Sequence, residues 1–491
     1  LTSNPIPQLS PEYGAGSRLE VNISNTATPA ITILDRAKQK GIFLLTDQGI
    51  DWNNQVLDHA LIVEETPDRS VASFIISAPG VRERKPEFIG FSKSPDRGVQ
   101  VKKGDQIVIR VTEVTFPCKD VPELLARFMK DRKSHAGGEA PRNLMPMSEV
   151  LTRMVKNIND RYYIGDQWQY YCPENANWMS YGWIGGLMNT YPMLALGDAE
   201  HLQKVKNTFD FALPRAKGKS GYYYDVLGAD GKPFSRDAAA NHPGVGLTRK
   251  NGDILYWMVK QFMLLKEQEK ANAIDPEWET NVRLLADAFV NTWKKHGTWG
   301  NYLDVESGDI AVYNTTSGAM AVAGLALASG YYNNPDYLKV ACEAAKDYYD
   351  SFALVGFTSG GCGDILQNAD SETAVALLTS LMTLYEVTGK EQYLKQSADL
   401  ANLCFPYRLP ENTPLAKLGA NLTGAVWAST QNKHGAPGFC TQSGDALFKL
   451  YRSTGDASYA ELLRDVIHAH AEGIQPNGKI TERLTYCDAD S

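Results

Sequence analysis

Five times along the chain the same short phrase recurs, and it restricts the fold more than any other feature of the sequence. The segments are Gly197-Asp198-Ala-Glu-His201-Leu, Ile274-Asp275-Pro-Glu-Trp278-Glu, Asn333-Asn334-Pro-Asp-Tyr337-Leu, Gly389-Lys390-Glu-Gln-Tyr393-Leu and Gly455-Asp456-Ala-Ser-Tyr459-Ala. A Gly or Asn closes one helix by tolerating the left-handed conformation, and the Asp, Asn or Pro after it opens the next. The ring residues are separated by 77, 59, 56 and 66 positions, enough for two helices and their loops in each unit.

The two helices of a unit differ in kind. Those after the signature are amphipathic, as in Glu277–Lys295, where Val282, Leu285, Ala286, Phe289 and Trp293 share a stripe. Those before it are apolar nearly all round: Trp178–Leu196, Asp253–Leu265, Thr316–Ser329, Thr373–Val387 and Gly438–Tyr451. A helix apolar on every face must be buried on every face, so the pattern predicts an inner and an outer ring of helices. With Pro146–Ile158 as the first outer helix, there are six outer helices and five inner ones. Two readings of that count stand open: the chain stops before a sixth inner helix, or Asp120–Lys133 closes the ring. The reading adopted is the first.

Residues 1–118 follow a different rule. Short β-branched runs, Arg18–Ser24, Ala30–Asp35, Gly41–Thr46, His59–Glu65, Val71–Ala78 and Glu87–Ser92, alternate with turn residues, and Gly98–Phe116 reads as a hairpin about Lys102-Lys103-Gly104-Asp105. Strands at this spacing predict an antiparallel β-sandwich. The expected organisation is therefore α+β and multidomain: a sandwich over 1–118, a helical linker over 119–145, and an (α/α)6-type toroid over 146–491, lacking its last helix if the chain is cut short.

Composition narrows the function. The 491 residues carry 49 Lys and Arg against 57 Asp and Glu, an acidic balance that argues against a nucleic-acid partner. Apolar runs such as Ala319–Ala328 are too short to span a membrane. Seven cysteines without a C-x-x-C pair imply neither a disulfide framework nor a zinc ribbon, and no cofactor or metal is expected. No cationic-then-apolar leader opens the sequence, so any such segment has been removed or omitted.

A β-sandwich, a linker and a toroid whose units end in T-G-K-E-Q-Y-L and T-G-D-A-S-Y-A resemble the six-hairpin glycosidases, a superfamily that includes glucoamylases, α-rhamnosidases and unsaturated glucuronyl hydrolases. The resemblance runs from Pro146 onward. It is architectural and leaves the reaction open. Locally, Cys440-Thr-Gln-Ser-Gly-Asp445 resembles the fifth-hairpin region of zinc-dependent β-arabinofuranosidases, but the adjacent cysteine pair and the Glu that bind their zinc are missing here. Cys342, Cys404 and Cys440 read as core thiols.

In a toroid, the loops that lead into the inner helices gather at one mouth. The first, 166–183, carries Glu174, Asn177, Trp178 and Trp183, whose rings suit the C–H faces of a sugar. The second leads through Arg249 and Lys250 to Asp253, which reads either as a helix N-cap or as a catalytic carboxylate. The two cations read either as solvated or as a fork for a uronate. The third offers Trp299 and Tyr313 as stacking or edge contacts. The fourth, Ser359-Gly-Gly-Cys-Gly-Asp364 to Asp370-Ser-Glu372, brings glycines that admit a ligand close to the backbone, followed by three carboxylates. Asp370 and Glu372 point about 200° apart once helical, so Asp370 is the expected cap. The fifth holds Trp427 and His434.

Paired carboxylates at a shared cleft are what glycoside hydrolysis requires, one protonated and one ionised. The expected activity is that of a glycoside hydrolase acting on an oligosaccharide or polysaccharide, uronate-bearing in one version. Candidate carboxylates are Glu174, Asp253, Asp364, Asp370 and Glu372. Substrate contacts are expected from Asn177, Trp178, Trp183, Arg249, Lys250, Trp299, Tyr313, Trp427 and His434. The alternatives are a polysaccharide lyase on the same toroid, a sugar epimerase, ranked lower because none of the eight His falls in an expected inner helix, and a non-catalytic glycan-binding protein. Degradation of polymeric glycans implies an extracellular or periplasmic setting.

Overall fold

The computed structural model describes residues 13–14, 17–86, 91–136, 145–172, 178–180, 182, 185–234, 244–363, 368–411, 413–415, 423–427, 429, 435–436 and 444–478. Near the N-terminus, strands Arg18–Asn22, Ala60–Glu65 and Ala72–Ser77 form one antiparallel sheet, and Val111–Pro117, Lys40–Thr46 and Ala30–Asp35 form another, each in that order. The turn at Lys102–Asp105 forms, with the Asp105 N–H donating to the Lys102 carbonyl. Its expected hairpin does not: residues 99–110 carry no strand. Val99, Ile107 and Ile109 instead pack as side chains on Ile50, Trp52 and Leu57, so apolar burial is kept without a backbone ladder.

The helix Val121–Ala136 (α1) seats Leu124 and Phe128 on Phe43, Leu45 and Phe116 of the second sheet. Arg132, in its last turn, donates to the Phe405 and Arg408 carbonyls. This helix therefore joins the sheet to the helical part and is not the ring member that one reading of the sequence made it.

Eleven further helices follow among the described residues. Met147–Arg161 (α2), Ala199–Arg215 (α4), Pro276–His296 (α6), Pro335–Ser351 (α8), Glu391–Cys404 (α10) and Ala457–Gly473 (α12) are the outer set. Gly186–Ala195 (α3), Thr248–Glu267 (α5), Ala319–Tyr331 (α7), Ser371–Thr388 (α9) and Asp445–Thr454 (α11) are the inner set. Residues 178–180, expected to be helical, form a strand paired with Val226–Gly228. The inner helices α5 and α7 approach closely because Gly252 and Gly324 face the partner: a Cβ on Gly324 would stand 2.7 Å from Leu255 Cγ, and one on Gly252 2.7 Å from the Ala321 nitrogen. Between α7 and α9, Ser380 donates to the Ala319 carbonyl and accepts from the Ala323 N–H.

The repeated signature acts twice. Asp198, Asp275, Asn334 and Asp456 each cap the following helix by accepting a backbone N–H, a contact that stabilises by about 1 kcal/mol. The ring residue then hooks the preceding outer helix: Trp278 Nε1–H donates to Asp210 at 2.9 Å and the Tyr337 hydroxyl to Asp287 at 2.5 Å. Tyr349 repeats the bond one unit on, to Asp399 at 2.6 Å. Tyr337→Phe is expected to destabilise by about 1.5–3 kcal/mol, the range for a hydrogen bond to a charged group. Denaturant unfolding measures it, and an unchanged midpoint would refute the hook.

Where the second sheet meets the loop after α10, two titrating groups oppose each other. Burial and the Asp47 carboxylate push Glu411 up to about 7, whereas burial pulls His59 down to about 4. Glu411 contributes stability that is fully present below its ordinary value of 4.5 and is lost as pH rises through 7. His59 contributes stability present above 6.5 and lost as pH falls through 4. Glu411→Gln removes the first arm alone. The melting temperature of the wild type relative to this variant is expected to fall steadily from pH 4.5 to 7, and a constant difference would contradict the assignment.

Candidate active site

The first turns of α5 and α9 meet at the mouth of the inner ring, and the sequence order explains how α5 is anchored there. Strand Val245–Leu247 pairs with Tyr302–Asp304, which pairs in turn with Ile310–Val312. The Leu247 N–H donates to Asp225 Oδ1 at 2.8 Å, the Thr248 N–H to the Asn301 carbonyl, and the Arg249 N–H to Ser317 Oγ at 3.1 Å. Helix α5 thus starts at Thr248, five residues before Asp253. Asp253 is not the N-cap; it faces Arg249 one turn back.

Arg249 organises the cluster. Its Nε–H donates to Asp253 Oδ2 at 2.9 Å, and its Nη1 stands 3.9 Å from Glu372 Oε2. Asp370 caps α9, its Oδ1 accepting from the Thr373 N–H at 2.5 Å and its Oδ2 from the Gly361 N–H at 3.0 Å. Arg249, Asp253 and Asp370 are fully buried and Glu372 is 2% exposed. Burial works against the guanidinium charge, yet Asp253, Glu372 and Asp370 outweigh it and raise the Arg249 pKa. Burial raises Asp370, against the Thr373 and Gly361 hydrogen bonds and the Arg249 charge. Gly361 is required by contact: a Cβ there would lie 2.9 Å from both Arg249 Nη1 and Asp370 Oδ1.

The other expected residues distribute unevenly. Lys250 is buried beside Arg249. Trp427, also buried, stands next to α9, its carbonyl accepting from Ser371 Oγ at 2.9 Å. Trp299 lies in the core, donating from Nε1 to the Phe289 carbonyl and edge-on to that ring. Tyr313 is exposed and packs edge-to-face with His296. Trp178 has its backbone in the strand 178–180. Glu174, Asn177, Trp183, Asp364 and His434 lie outside the described residues. Sequence reasoning passed over Asp225, which holds the start of α5, and Asn251, whose side chain accepts from the Tyr223 N–H and donates to its carbonyl. The Tyr302 hydroxyl donates to the Gly363 carbonyl at 2.8 Å. The four-residue spacing of Arg249 and Asp253 was the available signal.

No protein-family model matches this chain, and no curated protein matches it. Among solved structures, a D-mannose isomerase superposes with a TM-score of 0.50 over 69% of this chain and 90% of its own, at 13% identity. A cellobiose 2-epimerase from Spirochaeta thermophila (11% identity, 70% and 91% covered, TM-score 0.49) and a GH76 α-mannanase from Bacteroides thetaiotaomicron (14%, 70% and 88%, 0.48) are similar at a lower level. The helical part therefore shares the fold of that isomerase. At such identity the likeness concerns the fold and leaves the chemistry to the residues. Among the described residues, no helix is long and apolar enough to cross a membrane and no group of side chains forms a metal site.

Proposed function

We propose that this chain is a glycoside hydrolase acting on an oligosaccharide or polysaccharide, with Asp253 and Glu372 as its working carboxyl pair. One observation carries the reading: two carboxylates from two inner helices contact a single buried guanidinium at the mouth of the ring. Paired glycosidase carboxyls stand about 5–9.5 Å apart, one protonating the leaving oxygen and the other activating water or attacking the sugar carbon. A shared guanidinium keeps Asp253 and Glu372 close and fixes their orientation. Arg249 is the positioning residue in this reading, since its guanidinium contacts both members of the pair. Gly361 leaves room for the guanidinium, and Asp370 serves as the helix cap.

The β-stranded N-terminal region acts as a sandwich domain that supports the toroid through α1, and the enzyme works outside the cytoplasm, where polymeric glycans are met. Incubation with a panel of neutral and uronate-bearing oligosaccharides tests the reaction class. Hydrolysis releases a reducing end with uptake of one oxygen from 18O-labelled water and produces no absorbance near 235 nm. A new ultraviolet band without label uptake would identify β-elimination and overturn the proposal.

A further inference from the structure

The junction between the second sheet, α1 and α12 holds more buried positive charge than the nearby acids balance. Arg132 and Arg408 are each 1% exposed, and both guanidinium carbons lie 5.6 Å from the centre of the Phe405 ring. Asp465, fully buried, takes Arg408 on Oδ2 and Arg464 on Oδ1, the latter at 2.7 Å. Among the described residues Arg132 has only neutral acceptors: its Nη1 donates to Thr28 Oγ1 and to the Phe405 and Arg408 carbonyls at 2.8–3.2 Å. Among the described residues its Nε and Nη2 have no acceptor, and neither does Nε of Arg408.

The pattern of unmet donors is specific. Nε and Nη2 form one of the two edges of a guanidinium whose paired N–H bonds run parallel and can grip two oxygens of a carboxylate, phosphate or sulfate. A buried charge without a counter-charge is strongly unfavourable, and an anion on that edge removes the penalty. Burial pulls Arg132 down to about 9, while burial and the Arg132 and Arg464 charges lower Arg408 against the opposing Glu461 carboxylate. We infer that this junction is a binding site for a small oxyanion, held two-pronged by Arg132 and flanked by Arg408 over the Phe405 ring. The site touches three parts of the chain: Thr28 before the second sheet's first strand, Arg132 near the end of α1, and residues 405–408 after α10. Occupancy would tie these parts together.

The full chain is dialysed into chloride buffer and its melting temperature followed against added phosphate, and separately acetate, at constant ionic strength. The wild type is expected to gain a saturable rise of about 2 °C or more with at least one of them, and Arg132→Met to show none. A phosphate response assigns an inorganic oxyanion, and an acetate response a carboxylate. The methionine removes the stranded charge without opening a cavity, so it is expected to fold. Equal responses in wild type and Arg132→Met, or no response to either anion in the wild type, would overturn the site. If Arg132→Met does not fold, crystals of the wild type soaked in selenate decide: an anomalous peak within hydrogen-bond reach of Arg132 Nε and Nη2 supports the site, and none there refutes it.

Discussion

Asp253→Asn and Glu372→Gln are each expected to lower kcat by about 10²–10⁴-fold, the contribution of a positioned acid or base, on whichever glycan the wild type hydrolyses. Both substitutions nearly preserve shape and leave an acceptor oxygen for Arg249, so circular dichroism is expected to remain close to wild type, while the melting temperature falls because one charge of a buried pair is lost. The two variants differ in rescue. Added azide restores turnover where the lost group was the base or nucleophile, whereas a substrate with an activated leaving group restores it where the lost group was the acid. Wild-type activity in both variants would remove the pair from the mechanism while leaving the toroid untouched.

Arg249→Met carries the largest expected stability effect. The guanidinium is fully buried and contacts Asp253 at 2.9 Å and Glu372 at 3.9 Å. Its removal strands two buried carboxylates, a change that costs about 3–5 kcal/mol when one member of a buried pair is lost. The stranded groups then regain stability by taking up protons, so the variant is expected to become more stable, relative to wild type, as pH is lowered. Arg249→Met/Asp253→Leu is expected to recover part of the loss, because it leaves one carboxylate stranded instead of two. Urea unfolding of the two variants at neutral pH measures both effects. A double variant less stable than the single one would show that the guanidinium serves packing more than charge.

The ring of hairpins was legible because its signal is local: a cap, a stop and a ring residue sit within six positions and recur. The same locality made Asp370 readable as a cap, three residues before the Thr373 N–H it accepts. The start of α5 was not legible. Arg-Lys-Asn-Gly reads as loop by propensity, yet Asp225, Asn301 and Ser317, from distant parts of the chain, accept the backbone N–H groups that begin the helix there. That shift of five residues turned Asp253 from a cap into the partner of Arg249. Trp299 misled for a related reason: an indole suits a sugar face and a packed interior equally, and only the Phe289 carbonyl, which accepts its N–H, shows which it meets. Residues 99–110 carried a strand-like alternation that was used for side-chain packing alone.

The hooks between successive outer helices have a mechanical corollary. Ring-to-acid bonds link α4 to α6, α6 to α8 and α8 to α10. Where α12 meets α2, the contact is a small patch of Val150, Ala471 and Ile474, with His470 against the Met154 sulfur. The assembly therefore resembles a split washer, tied along the arc from α4 to α10 and, among the described residues, held chiefly by apolar contact at the gap between α12 and α2. Thermal breathing should start there, and amide deuterium uptake should be faster along the lips of that gap than on the opposite arc.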